Sequence, residues 1–308
     1  MNEPKVIVLI LNYNGKHLLD ESILSYLAND YENFEVVVID NNSKDSSQKW
    51  VEEHYPEVKV LQTGSNLGYS GGFNYGLDYA FNKRKTDYVL VSNNDVKADS
   101  KVISELVKVA ESDPMIGFVT GKVYYYEKPD TLQTVGFYED PVILTGGHLG
   151  NKEIDKGQYD EISERLFTDD IFMLVKKNIY DSVGGYDTEF KYQVEQVDWQ
   201  ARGKSKGFKN YYTPNAKIWH RESMTMGKSS AFKTYYDVRN PFIFRLKHKD
   251  EEYLKRYSKY YLKFKVVKPF IKNLIRFRIY YSYIIVSAFL SAIKWGILNK
   301  KLKLSYFF

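Results

Sequence analysis

The run Tyr88-Val-Leu-Val-Ser-Asn-Asn-Asp95 constrains the fold more than any other stretch. It is short, apolar and rich in β-branched residues, and it stops abruptly in amides and a carboxylate. A strand buried on both faces reads this way, and in open α/β sheets ligands gather beyond the carboxyl ends of such strands. The same grammar recurs upstream. Lys5–Leu11 ends in Asn12-Tyr-Asn-Gly15, and Leu18, Leu19, Ile23, Leu24 and Leu27 then fall at helical spacing. Phe34–Ile39 ends in Asp40-Asn-Asn-Ser-Lys-Asp45, ahead of a helix over Ser47–Tyr55. Val58–Leu61 is a third short strand. Asn66–Asn74 is a glycine-rich stretch leading to a helix near Gly76–Lys83, and another helix covers Lys101–Ser112. The alternation predicts an α/β fold with a mostly parallel sheet flanked by helices.

Three strand ends in this half finish in polar turns: Asn12–Asn14, Asp40–Ser43 and Asn93–Asp95. If the strands are parallel neighbours, the turns share one sheet edge. Asp40 suits hydrogen bonds from a base or ribose, and Asp95 suits a divalent cation bound through oxygen. Gly68, Gly71 and Gly72 permit close backbone approach to a phosphate or sugar. Their spacing is neither the dinucleotide fingerprint nor a Walker loop. Together these features predict a nucleotide site, although Asn, Asp and Gly also end strands for purely structural reasons.

The second half is less regular. Phe118–Tyr126 and Phe172–Val175 read as strands, with residues 127–166 as an excursion over the site. Asn178–Val183 is a helical turn stopped by Gly184-Gly185. In Gln193–Arg202, Glu195, Asp198 and Arg202 recur at helical spacing, so one face carries two carboxylates and a guanidinium; a solvated ion-pair face is the plainer reading. Gly207–Tyr212 and Ala216–Trp219 are late strands, the second delivering His220 directly after an apolar run. A histidine so placed beside Asp95 is a candidate metal ligand.

The chain has no cysteine, which excludes disulfides and thiolate metal sites, and its N-terminus carries no secretory pattern. The net charge of +5 hides an asymmetry: residues 245–308 hold 16 Lys/Arg and three acids, whereas residues 1–244 hold 28 Lys/Arg and 36 acids. This predicts a domain over 1–244 and a basic–aromatic helical tail over 245–308. Within the tail, the apolar stretch Tyr280–Leu298 reaches spanning length only by including Lys294. It reads as an interfacial helix on anionic lipid at the cytoplasmic face of a membrane. The alternative is a helical pair packed on the catalytic domain or on another subunit of a homo-oligomer. The long apolar segment argues against nucleic acid as the partner.

The motifs Leu11-Asn-Tyr-Asn-Gly15, Val38-Ile-Asp-Asn-Asn-Ser-Lys-Asp-Ser46, Asn66-Leu-Gly-Tyr-Ser-Gly-Gly-Phe-Asn74 and Ser92-Asn-Asn-Asp95 carry a resemblance. So do Val183-Gly-Gly-Tyr-Asp187, Glu195-Gln-Val-Asp-Trp-Gln-Ala-Arg202, Ala216-Lys-Ile-Trp-His220 and Tyr235-Tyr-Asp-Val-Arg-Asn240. Over about residues 5–240 the chain resembles the family 2 glycosyltransferases with the GT-A fold, particularly bacterial members that extend cell-surface polysaccharides, rhamnosyltransferases among them. The resemblance implies an inverting transfer from a dTDP-rhamnose or UDP-hexose donor to a saccharide acceptor, one carried on a lipid. It implies that Asn12, Tyr13, Asn14, Asp40 and Asn42 hold the nucleotide and that Asn66, Gly68, Gly72 and Asn74 line the donor. Asn93-Asn94-Asp95 takes the place of the family's metal-binding motif, so Asp95 and His220 are implied ligands of Mn²⁺ or Mg²⁺. Trp199 and Arg202 are implied to face the acceptor. One departure matters. The family's Glu-Asp reads Glu195-Gln196 here, and an amide cannot serve as the base, which leaves Glu195 or Asp198. A catalytically impaired relative that binds nucleotide or glycan is the alternative. A sugar-nucleotide nucleotidyltransferase would want a Gly/Arg-rich phosphate loop where this chain has Asn12–Lys16.

Overall fold

The computed structural model describes residues 3–140, 145–221 and 230–307. They form two compact units, one of 3–140, 145–191 and 195–221, the other of 192–194 with 230–307.

The first unit opens β1 (Val6–Asn12), α1 (Lys16–Leu27), β2 (Phe34–Asp40), α2 (Ser47–His54), β3 (Lys59–Gln62), α3 (Gly68–Asp78) and β4 (Tyr88–Asn93). It continues through β5 (Val96–Ala98), α4 (Val102–Glu111), β6 (Ile116–Tyr125), β7 (Lys128–Thr134), β8 (Phe137–Asp140), β9 (Thr145–His148) and β10 (Ser163–Glu164). β11 (Phe172–Lys176), α5 (Lys177–Val183), α6 (Glu195–Lys204) and β12 (Lys209–His220) complete it. The main sheet runs β10-β12-β6-β11-β4-β1-β2-β3, with β5 on β12 and β7 on β6. From β4 to β3 the pairings are parallel, as the apolar runs predict. β11 then enters antiparallel to both β4 and β6.

Alternation along the strands explains why those runs are apolar throughout. Val6, Val8, Ile10, Val36, Val38 and Leu90 bury one face with Leu19 and Ile23 of α1 and Leu106 of α4. Ile7, Leu9, Val37, Ile39, Val89 and Val91 bury the other with Phe73 and Leu77 of α3. Helices on both faces bury β1 and β4 almost throughout, the condition under which a parallel sheet is stable, while the edge strand β3 keeps Lys59 and Gln62 exposed.

Three local expectations are corrected. The glycine-rich stretch is not an open loop, because α3 begins at Gly68 rather than near Gly76. The two late strands are one bent strand, β12, with a register shift between Tyr212 and Lys217. The excursion over 127–166 contains β7, which extends β6, and the β8–β9 hairpin.

The second unit is helical: α7 (Ala231–His248), α8 (Glu251–Tyr260), a π-helical stretch over Tyr261–Val267, α9 (Lys268–Ile275) and α10 (Ile279–Leu298). The boundary expected between 244 and 245 falls inside α7. Asp250 caps α8, accepting from the Tyr253 N–H at 2.8 Å. Ser282, Ile285, Ala288, Ala292 and Gly296 form the buried stripe of α10, and Arg239 of α7 donates from Nε to Ser291 Oγ at 3.1 Å. α10 is long and apolar enough to cross a membrane by length and composition.

Candidate active site

Register places the site. Asn12 lies opposite Asp40, and Leu11 opposite Asn93, so three strand ends line one edge. Because β11 is antiparallel, its beginning comes to that same edge: the Asn93 N–H donates to Ile171 O at 3.0 Å. β5 pairs with the end of β12, setting Val96 opposite His220.

Amides knit the first two turns. Asn94 Nδ2 donates to Asn12 Oδ1 at 2.7 Å, and Asn12 Nδ2 reaches Ser43 Oγ at 3.3 Å and Asp40 Oδ2 at 3.4 Å. Asp40 also accepts from the Ser43 N–H at 2.8 Å and Gln62 Nε2 at 3.1 Å. Buried and so engaged, Asp40 holds the turn in shape. Asn14 Oδ1 accepts from the Lys44 N–H at 2.7 Å, while Asn42 Oδ1 accepts from Lys44 Nζ at 3.1 Å. Asn14 and Asn42 sit at φ 52° and 65°, a region asparagine tolerates better than most residues. Gly15 closes against the Asn12–Asn94 pair so tightly that a Cβ would overlap both side chains. Tyr13, between Asn12 and Asn14 in the same turn, is 42% exposed.

A second web fixes the start of α3. Asn41, absent from the sequence reading, accepts from the Leu67 N–H at 2.9 Å and donates to Asn66 Oδ1 at 3.1 Å. Asn66 Oδ1 also takes the Gly68 N–H at 2.9 Å. Two residues implied to line the donor act in packing instead. A Cβ on Gly72 would lie 2.5 Å from Leu11 Cδ1, so this glycine lets α3 seat on the sheet. Asn74 exchanges two 2.8 Å hydrogen bonds with the Tyr186 backbone.

Asp95 and His220 meet as expected. His220 Nε2 lies 3.1 Å from Asp95 Oδ1, and both residues are buried. His220 Nδ1 faces Gln133 Oε1 at 2.8 Å, where only an Nδ1–H can donate. With Nδ1 turned to Gln133, the ring presents Nε2 to Asp95, and a cation between the two would take Nε2 as a ligand while Gln133 orients the imidazole from behind. Among the described residues no group of three or more His, Cys, Asp or Glu gathers for a metal. Asp95 and His220 supply one oxygen and one nitrogen donor of the kinds a divalent cation takes.

Sequence reasoning missed a carboxylate pair, Asp169-Asp170, just before β11. Tyr186 Oη donates to Asp170 Oδ2 at 2.9 Å, and Tyr69 Oη reaches Asp170 O at 3.2 Å and Asn93 Oδ1 at 3.4 Å. Burial, then the neighbouring Asp169 charge, pushes the Asp170 carboxyl up to about 7, against the lowering effect of the two phenols. His148 Nδ1 lies 3.1 Å from Asp169 Oδ2. Thr168-Asp-Asp170 stands ahead of an apolar run, at a strand's beginning, and only the antiparallel pairing of β11 brings that beginning to the site.

On α6 the expected face turns inward. Arg202 Nε donates to the fully buried Asp198 at 2.8 Å, Nη2 to Gly185 O at 2.6 Å, and Nη1 to Val183 O. Trp199 Nε1 donates to Gly184 O at 2.7 Å. Asp198, Trp199 and Arg202 thus clamp the turn after α5, a packing role beside the catalytic and acceptor-facing roles that the resemblance implies for them. Glu195 is buried in the first turn of α6, close enough for its charge to be felt by Tyr69 and Tyr186. Gln196 keeps a buried amide oxygen with no hydrogen-bond partner among the described residues.

A parallel α/β sheet carrying a carboxylate and a histidine at its carboxyl edge, with an antiparallel wing beyond it, defines the GT-A class of nucleotide-sugar enzymes. GalNAc-T7, solved with UDP, GalNAc and Mn²⁺, superposes with a TM-score of 0.59 at 14% identity, covering 85% of this chain and 56% of that one. The family model of Glycosyl transferase family 2 matches residues 7–181, and the chain belongs to that family. It is similar to N-acetylglucosaminyl-diphospho-decaprenol L-rhamnosyltransferase of Mycobacterium tuberculosis (strain ATCC 25618 / H37Rv), 25% identical over 228 residues, 68% of this chain and 73% of that protein. It is also similar to poly-β-1,6-N-acetyl-D-glucosamine synthase of Staphylococcus aureus (strain COL), 23% identical over 221 residues, 71% of this chain and 50% of that protein. Across the curated relatives the match takes in between 25% and 73% of their own length.

Proposed function

We propose that this chain moves a sugar from a nucleoside-diphosphate donor, with inversion at the anomeric carbon, to a lipid-linked saccharide acceptor during assembly of a cell-surface polysaccharide. The observation that carries this reading is the buried Asp95–His220 pair at the edge formed by Asn12, Asp40 and Asn93. The rhamnosyltransferase and the synthase described above support the acceptor class and the polysaccharide setting; dTDP-rhamnose and UDP-hexoses are both suitable donors.

The residues divide the work. Tyr13 covers the base, and the Asn12–Ser43–Asp40 web shapes the turn beneath it. Asp95 and His220 would hold Mn²⁺ or Mg²⁺, a positive charge that offsets a departing diphosphate. The buried amides of Asn12 and Asn94 keep that edge dry and rigid, so its dipoles need no reorganisation during transfer.

The tail supports a position on the cytoplasmic face of a membrane. Ile275, Phe277, Ile279 and Leu298 are 72%, 90%, 67% and 70% exposed, and they stand among Lys272, Arg276, Arg278 and Lys300. Apolar side chains ringed by cations suit an anionic lipid surface.

Calorimetry with UDP-, dTDP- and GDP-sugars, with and without Mn²⁺, tests the reading. Cation-dependent binding of one nucleotide class is expected. A folded protein that binds none of them would falsify it.

A further inference from the structure

We infer that Asp170 accepts the acceptor hydroxyl's proton, in place of the carboxylate that Gln196 replaces. This rests on the transferase reading above and names a catalytic group for it. The position after Glu195 is an amide, which can hold a hydroxyl but cannot take its proton at any working pH. Asp198 is committed to Arg202 at 2.8 Å. Asp170 has the placement these two lack. It precedes β11, whose Ile171 O takes the Asn93 N–H at 3.0 Å, so it stands beside the strand end that carries the Asn93–Asp95 turn. Tyr69 Oη touches both sides of that junction, at 3.4 Å from Asn93 Oδ1 and 3.2 Å from Asp170 O.

The surroundings suit a base. Three groups face Asp170: Asp169 on its own segment, Tyr69 from α3 and Tyr186 from the turn after α5; Glu195 of α6 acts on the two tyrosines. Burial and then the Asp169 charge resist its ionisation, while the phenols stabilise the ionised form. A general base works best when its affinity for the proton matches the operating pH, and a group balanced in this way titrates near neutrality. As the acceptor's O–H bond breaks, the proton goes to the Asp170 carboxylate. The oxygen's electron pair forms the bond to the anomeric carbon. The bond from that carbon to the diphosphate oxygen breaks, and its pair leaves on the diphosphate.

The experiment uses the full chain, with dTDP-rhamnose, UDP-glucose, UDP-N-acetylglucosamine and GDP-mannose as donors and N-acetylglucosaminyl-diphospho-lipid as acceptor. Asp170→Asn is expected to bind donor as the wild type does and to lose transfer by about 100-fold or more, the range of general-base catalysis. Asp170→Glu is expected to recover part of the loss. Tyr186→Phe removes a hydrogen bond to the ionised carboxylate, so the acid limb of the pH–rate profile is expected to move to higher pH; a merely structural tyrosine would leave the limb in place. Retention of transfer by Asp170→Asn to within about threefold, loss of its donor binding, or a loss confined to Glu195→Gln each overturns the assignment. Transfer that survives in Asp170→Asn leaves the transferase reading standing. A wild-type chain that neither binds nor transfers any of the four donors removes both.

Discussion

Asp95 Oδ1 and His220 Nε2 stand 3.1 Å apart because β5 and β12 pair immediately behind them, with Val96 opposite His220. The ladder fixes the two donors before any ligand arrives, which is the preorganisation a cation site requires. Asp95→Asn and His220→Ala are therefore expected to abolish Mn²⁺-dependent donor binding. Gln133→Leu removes only the acceptor that orients the imidazole through Nδ1, and it is expected to weaken cation affinity by about 10- to 100-fold. Calorimetric titration of Mn²⁺ in the presence of donor measures all three, and unchanged affinity in Asp95→Asn would remove the pair from the cation site.

Gly15 carries a different constraint. Its missing Cβ is the space occupied by the Asn12 and Asn94 side chains. Gly15→Ala must displace the 2.7 Å Asn94–Asn12 hydrogen bond, and overpacking at a buried site costs about 1–3 kcal/mol. A lower unfolding midpoint together with weaker donor binding is expected. A variant as stable and as tight-binding as the wild type would show that this turn does not position the nucleotide.

The Asp198–Arg202 pair separates a structural role from an acceptor contact. Arg202→Leu removes the ion pair to the buried Asp198 and the donors to Val183 O and Gly185 O, so it is expected to cost about 2 kcal/mol or more in denaturant unfolding. If the clamp is its whole task, the KM for the acceptor stays unchanged in the fraction that folds. A raised acceptor KM without a change in stability would reverse that assignment.

The parallel half of the fold was legible because its central strands are buried on both faces and so spell continuous apolar words, Val6–Asn12 and Tyr88–Asn93 above all. Asp95 and His220 were legible by their placement: Asp95 closes the polar turn that ends one such run, and His220 directly follows the apolar Ile218-Trp219. What was not legible depends on pairings that leave no local trace. Nothing near Asp170 says that β11 runs antiparallel to β4, which is what carries a strand's beginning to the site. Trp199 and Arg202 looked functional by residue type, and only the turn at Val183–Gly185, brought under α6 by tertiary packing, shows what they bind. Gly72 and Asn74 sit in a motif shared with the family, but they serve the docking of α3 and of the Tyr186 turn.

Asp170 makes stability depend on pH in a direction opposite to that of most carboxylates. Its native value is raised to about 7, whereas an unfolded aspartate titrates near its ordinary value of about 3.9. Between those values the native state keeps a proton that the unfolded state has lost. The contribution is fully present below about pH 4 and is lost as pH rises to about 7, with a ceiling of about 4 kcal/mol. Asp170→Asn cannot ionise, so its unfolding free energy is expected to decline less than the wild type's over that window. Parallel slopes in urea titrations from pH 5 to pH 8 would show that Asp170 is not held in its neutral form.

The tail tests where the chain works. Ile275 and Phe277 are 72% and 90% exposed at the junction of α9 and α10, and Lys272, Arg276 and Arg278 are their neighbours in sequence. Exposed apolar groups of this size in a soluble surface invite aggregation unless something covers them. Their cationic neighbours select an anionic cover, so the full chain is expected to co-float with phosphatidylglycerol vesicles and much less with phosphatidylcholine ones. Salt separates the two contributions. At about 1 M the screening length shrinks to about 3 Å, so the electrostatic part of binding should fade while the apolar part persists. Ile275→Glu with Phe277→Glu removes the apolar part and adds repulsion, and loss of flotation at all salt concentrations is expected. Flotation unaffected by both substitutions would move the contact to the exposed face of α10, where Tyr283, Leu290 and Ile297 are 65%, 58% and 57% exposed. A chain that never floats but sediments as a dimer, and becomes monomeric on the same double substitution, would assign these residues to a subunit interface instead.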